Sequence, residues 1–187
     1  PTGAALRAVQ ALLAEGVELP PGSVIDVSPA AADWFAAAAQ ELERGYAIVI
    51  DYGYPARELY QAHRLAGTVR AYHAHTVTDD PLIRVGEQDL TAHVDFTALQ
   101  RAGETAGLQL AGITTQGAFL ASLGLGDFLL RLQQNPETTL PDYLRAQAAV
   151  LRLIDPGGLG RFRVLLMAKE APIDPPLRGL RERPPAF

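Results

Sequence analysis

Apolar residues recur along this chain in two rhythms, one helical and one strand-like, with glycine and proline between them. Over 2–16, TGAALRAVQALLAEG, the residues Leu6, Val9 and Leu13 share one helical face, Thr2 can cap the start and Gly16 can end it. LPPG then breaks the chain, and SVIDV at 23–27 reads as a short strand. The next segment, 28–45, is SPAAADWFAAAAQELERG. Ser28 is a good N-cap, and Pro29 takes the first helical position, where its missing N–H does no harm. Trp34, Phe35, Ala38 and Leu42 form its expected stripe, and Gly45 its stop. YAIVI follows at 46–50 without alternation, the pattern of a strand buried on both faces, as in a parallel sheet.

GTVRAYHAH at 67–75 can form a short strand with His73 and His75 on one face, and VTDDPL is a turn. Asp95 is placed to cap a helix running to about 106 that turns Phe96, Leu99 and Ala106 inward and ends at Gly107. LQLAGITTQ is a second strand candidate, QGAFLASLG a short helix closed by Gly124, and DFLLRLQQN and LPDYLRAQAAVLRLID two further helices separated by PETTLP. After the loop DPGGLG, FRVLLMAK at 162–169 is a last buried strand. This alternation predicts an α/β fold with an open sheet over 1–169. The Pro- and Arg-rich end, 170–187, is expected to be extended.

Composition narrows the function classes. With 187 residues and 48% hydrophobic content the chain can build one real core. Its net charge is -5, and no Lys/Arg stripe marks a nucleic-acid surface. The absence of cysteine excludes disulfides, thiolate nucleophiles and Cys-based zinc sites, and fits a cytoplasmic setting. No apolar run reaches the roughly 18 residues of a membrane span.

In open α/β sheets ligands bind beyond the carboxyl ends of strands, which draws attention to Asp51, Tyr52 and Tyr54 after YAIVI. The stretch GEQDLTAHVDF, 86–96, packs Glu87, Asp89, His93 and Asp95 together. On a helical turn Asp89 would meet His93 four residues on, a carboxylate orienting an imidazole as a base. The plain alternative is a cap and a hydrogen-bonded structural histidine. His73, His75, His93 and Asp95 also form a ligand inventory for Zn, Fe or Mn, and so a second function class, a small metal-dependent hydrolase. GGLGRF precedes a strand, so it reads as a turn; a phosphate cradle follows a strand and opens a helix.

YAIVIDYGY, GTVRAYHAH, DDPL, GEQDLTAHVDFTAL and TQGAFLASLG occur in that order, and together they resemble the MidA family over about 24–169. VIDVSPAAADWF fits too, with Asp26 where a Glu is more usual. The resemblance implies a Rossmann-like class I methyltransferase fold, present in part. YAIVI, LQLAGITTQ and FRVLLMAK would be its last three strands, the final one antiparallel to its neighbours. It also implies S-adenosylmethionine as cofactor and methyl transfer to a protein side chain, arginine, in the assembly of respiratory complex I. The family's Gly-rich turn and ribose-binding acid lie mostly in its N-terminal half, and neither occurs in these 187 residues. The chain, which begins PTGAALRAVQ without methionine, is therefore expected to be the C-terminal portion of such a protein. Alone it is expected to bind no S-adenosylmethionine tightly and to be inactive.

On this reading Asp89, His93 and Asp95 are the catalytic candidates, Asp51, Tyr52, Tyr54 and Glu87 face the substrate, and no metal is needed. A half-sheet would leave a bare edge, to be covered by the missing half or by a second copy. The alternative from another class is a non-catalytic interaction module that meets a protein partner through 67–96. Neither nucleic acid nor membrane is an expected partner.

Overall fold

The computed structural model describes residues 3–61, 64–74 and 76–181. Its elements in chain order are α1 (Gly3–Ala14), α2 (Pro29–Glu41), β1 (Gly45–Asp51), β2 (Gly53–Tyr54), α3 (Ala56–Leu59), β3 (Arg70–His73), β4 (Thr76–Thr78), β5 (Asp89–Thr91) and β6 (Val94–Asp95). There follow α4 (Phe96–Thr105), β7 (Gln109–Thr115), α5 (Gln116–Leu123), α6 (Leu125–Gln134), α7 (Leu140–Ile154) and β8 (Arg163–Lys169). They form two compact units, the first from 1–38 and 53–102, the second from 39–52 and 103–187. Among the described residues no helix is long and apolar enough to cross a membrane.

The second unit is built on a sheet of order β1-β8-β7. The last strand enters between the other two and runs antiparallel to both, as the resemblance implies. Its central position explains the unbroken apolar run VLLMA: Val164 to Ala168 are all buried. YAIVI behaves differently from the expectation. Tyr46, Ile48 and Ile50 are exposed, alternating with half-buried neighbours, and β1 pairs antiparallel with β8. An apolar run does not say how many faces are covered; an outer strand with apolar residues on both sides reads the same in sequence.

Threonine side chains cap two helices of this unit. Thr115 Oγ1 accepts from Ala118 N at 3.2 Å to start α5, and Thr139 Oγ1 accepts from Asp142 N at 3.3 Å to start α7. Residues 170–181, expected to be extended, are irregular apart from a 3-10 turn at Arg178–Leu180, where they are anchored to α5. Gly179 is buried so closely against Phe119 that a Cβ there would lie 2.1 Å from the ring. Ser122 Oγ donates to the Arg181 carbonyl at 2.7 Å. Residues 182–187 of the expected tail, like Thr2, lie outside the described residues.

The first unit packs Leu12, Val17, Ala56, Leu59 and Tyr60 with Leu19, Ile25 and Tyr54. The buried position of α1 is Leu12; Leu6 and Leu13, predicted to face inward, are exposed. Gly16, at φ 71°, ends α1 as expected, with Val17 N bonded to the Leu12 carbonyl at 3.0 Å. Residues 23–27 do not form a strand; Val24 makes a single parallel bridge to Ala66. α2 starts where Ser28 and Pro29 place it, with Ala31 N 3.4 Å from Ser28 Oγ. It buries Phe35, as the predicted stripe requires, whereas Trp34 is 68% exposed and Ala38 is exposed. Two small sheets complete the unit, β2 with β6 in parallel and the three-stranded β4-β3-β5.

Candidate functional site

The first unit contains a cleft of about 780 Å³, large enough for a small-molecule or side-chain ligand. Its polar wall includes Arg7, Asp26, Tyr60, His93, Asp95 and Arg101. Asp95 is the structural hinge of that wall. Its Oδ1 accepts from Ala98 N at 3.0 Å and so caps α4, as the sequence predicts. Its Oδ2 lies 3.2 Å from the Tyr60 hydroxyl, which is also 3.2 Å from the Asp26 carbonyl.

Burial raises the Asp95 carboxyl above the ordinary carboxylate range, against the lowering effect of its bonds from Ala98, Tyr60 and Thr97 and of Arg101. Burial, and next the Asp95 charge, push the Tyr60 phenol well above its usual value. Tyr60 is therefore a neutral donor, and Asp95 a carboxylate with raised proton affinity.

Asp26 organises the loop below. Its Oδ2 accepts from Thr68 N, from Thr68 Oγ1 at 3.0 Å and from Val69 N at 3.1 Å. Thr68 Oγ1 in turn accepts from His93 N at 3.1 Å. One carboxylate thus fixes loop 67–69, and through Thr68 it sets the backbone that carries His93. The cationic side of the wall is anchored as well: Arg101 pairs with Glu15 and donates to the Ala11 carbonyl at 3.2 Å.

The predicted residues do not all meet. Tyr54, His93 and Asp95 come together in the first unit, with the Tyr54 and His93 rings edge-on at 5.5 Å. Tyr54 already carries a guanidinium on its face, that of Arg64, at 4.4 Å. Asp89 is exposed on β5, and since 89–95 forms two short strands, no helical turn joins it to His93. Glu87 is exposed, and its carbonyl meets His73 Nδ1 at 2.6 Å. Asp51 and Tyr52 belong to the second unit, where Asp51 Oδ1 accepts from Tyr52 N at 2.7 Å and Tyr52 packs edge-on against Phe162.

His75, the other half of the predicted H-x-H pair, lies outside the described residues. Among the described residues no group of three or more His, Asp or Glu is placed to hold a metal ion. Sequence reasoning missed Tyr60, Thr68 and Arg101, whose types are common and whose partners are distant in the chain.

Among the described residues, neither the glycine-rich run nor Asp26 is arranged to hold S-adenosylmethionine. The one glycine-rich run makes a 3-10 turn at Leu159–Arg161, and Gly160 lies so close to the Ile154 backbone, 2.3 Å from a Cβ position, that packing explains it. Asp26 is committed to loop 67–69 rather than free to hold a ribose. What the cleft can do is receive a cationic or hydrogen-bonding group against Asp95.

A mixed α/β fold whose final strand enters antiparallel between the two before it is that of the closing end of a methyltransferase sheet. Residues 3–114 match the family model described as "Putative S-adenosyl-L-methionine-dependent methyltransferase". The chain belongs to this family, the MidA-type methyltransferases. It is 34% identical over 134 residues to the Drosophila melanogaster "Protein arginine methyltransferase NDUFAF7 homolog, mitochondrial", covering 69% of this chain and 28% of that one.

Two crystal structures from Burkholderia thailandensis are similar. A native structure has a TM-score of 0.79 at 34% identity, covering 92% of this chain and 45% of the other. A second, bound to S-adenosyl-homocysteine, has a TM-score of 0.78 at 33% identity, covering 91% and 43%. The chain thus spans less than half the length of each of these relatives.

Proposed function

We propose that this protein serves S-adenosylmethionine-dependent methylation of an arginine side chain on a protein, and that its first unit provides the acceptor side of the reaction. The observation that carries this reading is Asp95 in the cleft wall, a half-buried carboxylate of raised proton affinity held by Tyr60. A guanidinium has a pKa above 12 and is a poor nucleophile while protonated. It needs a carboxylate to orient it and take its proton. Asp95 has lone pairs beyond its present bonds for that purpose. The name of the Drosophila relative supports arginine as the acceptor. On the resemblance to the MidA family alone, we extend the proposal to a complex I subunit as the protein that carries it.

Methyl-group incorporation into protein, followed with labelled S-adenosylmethionine in the complete enzyme, tests the reading. Asp95→Asn is expected to lower turnover on the order of a hundredfold, the usual size of a lost acid–base group, with cofactor affinity retained. Near-normal turnover in Asp95→Asn would remove the assignment.

A further inference from the structure

The loop between β4 and β5 has an unusual surface. It runs from Asp79 to Gln88, and it exposes Leu82 by 76%, Ile83 by 61% and Val85 by 76%. Single exposed apolar residues are ordinary, but three in four positions form a patch. The loop is ordered by its own bonds. Leu82 N donates to Asp80 Oδ1 at 2.9 Å, Gln88 Nε2 to the Pro81 carbonyl at 2.6 Å, and Glu87 N to the Arg84 carbonyl at 3.1 Å. The His73 ring fastens it to β3 through the Glu87 carbonyl. With its backbone held inside, the loop presents its apolar side chains outward.

The sheet from which the loop springs exposes further side chains. Tyr72 is paired directly with Val77 on one side and with Asp89 on the other, so these three share a face, and all are exposed. Charge is distributed unevenly around it. Over 70–91 the carboxylates are Asp79, Asp80, Glu87 and Asp89, against Arg70 and Arg84. Arg70 is engaged with Asp79 at 3.1 Å. Arg84 is therefore outnumbered by the exposed Asp80, Glu87 and Asp89, so exposed apolar side chains and a local excess of negative charge occur in the same segment.

We infer that this loop and sheet face are the docking surface for the acceptor polypeptide, a segment in which apolar residues alternate with arginines. The inference rests on the function proposed above, since an arginine acceptor is necessarily cationic. Leu82, Ile83 and Val85 take its apolar side chains, while Asp80, Glu87 and Asp89 face its guanidinium groups. Such a combination gives affinity from apolar contacts and orientation from charge.

Fluorescence anisotropy of a labelled peptide of alternating leucine and arginine tests it directly, with no methyl donor present. Saturable binding that weakens as salt is added is expected. L82S/V85S should weaken it about tenfold while leaving the thermal midpoint unchanged, because both side chains are exposed. E87Q/D89N should weaken it and flatten its salt dependence. A matched leucine–glutamate peptide should not bind. Equal affinity in L82S/V85S, equal binding of the glutamate peptide, or no saturable binding of the arginine peptide would each overturn the proposal. Because binding is read without chemistry, its failure leaves the Asp95 turnover test standing, and the converse holds.

Discussion

Asp95 is one carboxylate with two duties, and they pull its proton affinity in opposite directions. The cap on α4 and the bond from Tyr60 favour its charged form; burial disfavours it and dominates. The folded state therefore holds the Asp95 proton more tightly than the unfolded chain. Its contribution to stability is complete below the ordinary carboxylate pKa and is lost as pH rises through the folded value. Urea unfolding at a series of pH values should show the wild-type advantage over Asp95→Asn shrinking across that window and then levelling. A flat or growing difference would contradict it. Tyr60→Phe removes one favouring bond, so the Asp95 carboxyl should titrate still higher, as side-chain carboxyl NMR would detect.

Asp26 offers a cleaner test of structure alone. Asp26→Ala leaves the N–H groups of Thr68 and Val69 without their acceptor, and it should cost about 1–3 kcal/mol in unfolding free energy. Asp95 was legible in the sequence because a cap is a local signal. Asp26 and Tyr60 were not, because their partners lie 34 to 43 residues away.

Among the elements, ends were easier to read than faces or partners. Ser28 with Pro29, and Asp95, each mark a helix start through a bond to the residue three positions on. Which side of a helix is buried depends on what packs against it. That is why Trp34 was misplaced beside Phe35, and why Leu6 and Leu13 were preferred to Leu12. Strands carry even less local information: SVIDV has the right composition for one but finds only a single bridge.

Close approaches at element crossings make sharp predictions. At Gly53 an added Cβ would lie 2.1 Å from the Val94 carbonyl oxygen, so Gly53→Ala must push β2 and β6 apart. A loss of roughly 1–3 kcal/mol is expected from denaturant titration, as for other overpacked sites. Gly179→Ala meets Phe119 instead, a side chain, and should loosen the 3-10 turn that holds residues 170–181.

For the molecule as a whole, the order of motifs identified the family where no single motif could, and the inserted last strand agrees with it. The glycine-rich run makes a 3-10 turn before β8 and Asp26 is bound to loop 67–69, which leads to a direct expectation. Calorimetric titration of this chain with millimolar S-adenosylmethionine should give no saturable heat; saturation would show that other residues can build the site.

The central strand also constrains how the chain is made. Among the described residues β1 finds its hydrogen-bonding partner only in β8, and β7 likewise depends on β8. During synthesis YAIVI leaves the ribosome long before FRVLLMAK does, and nothing in the second unit's sheet can close until the last strand arrives. For that interval Ile48, Val49 and Ile50 form an unpaired sticky segment, a natural client for a holding chaperone. A premature stop anywhere before Arg163 should therefore yield an aggregating polypeptide rather than a smaller folded one, which sedimentation of the truncated product would reveal.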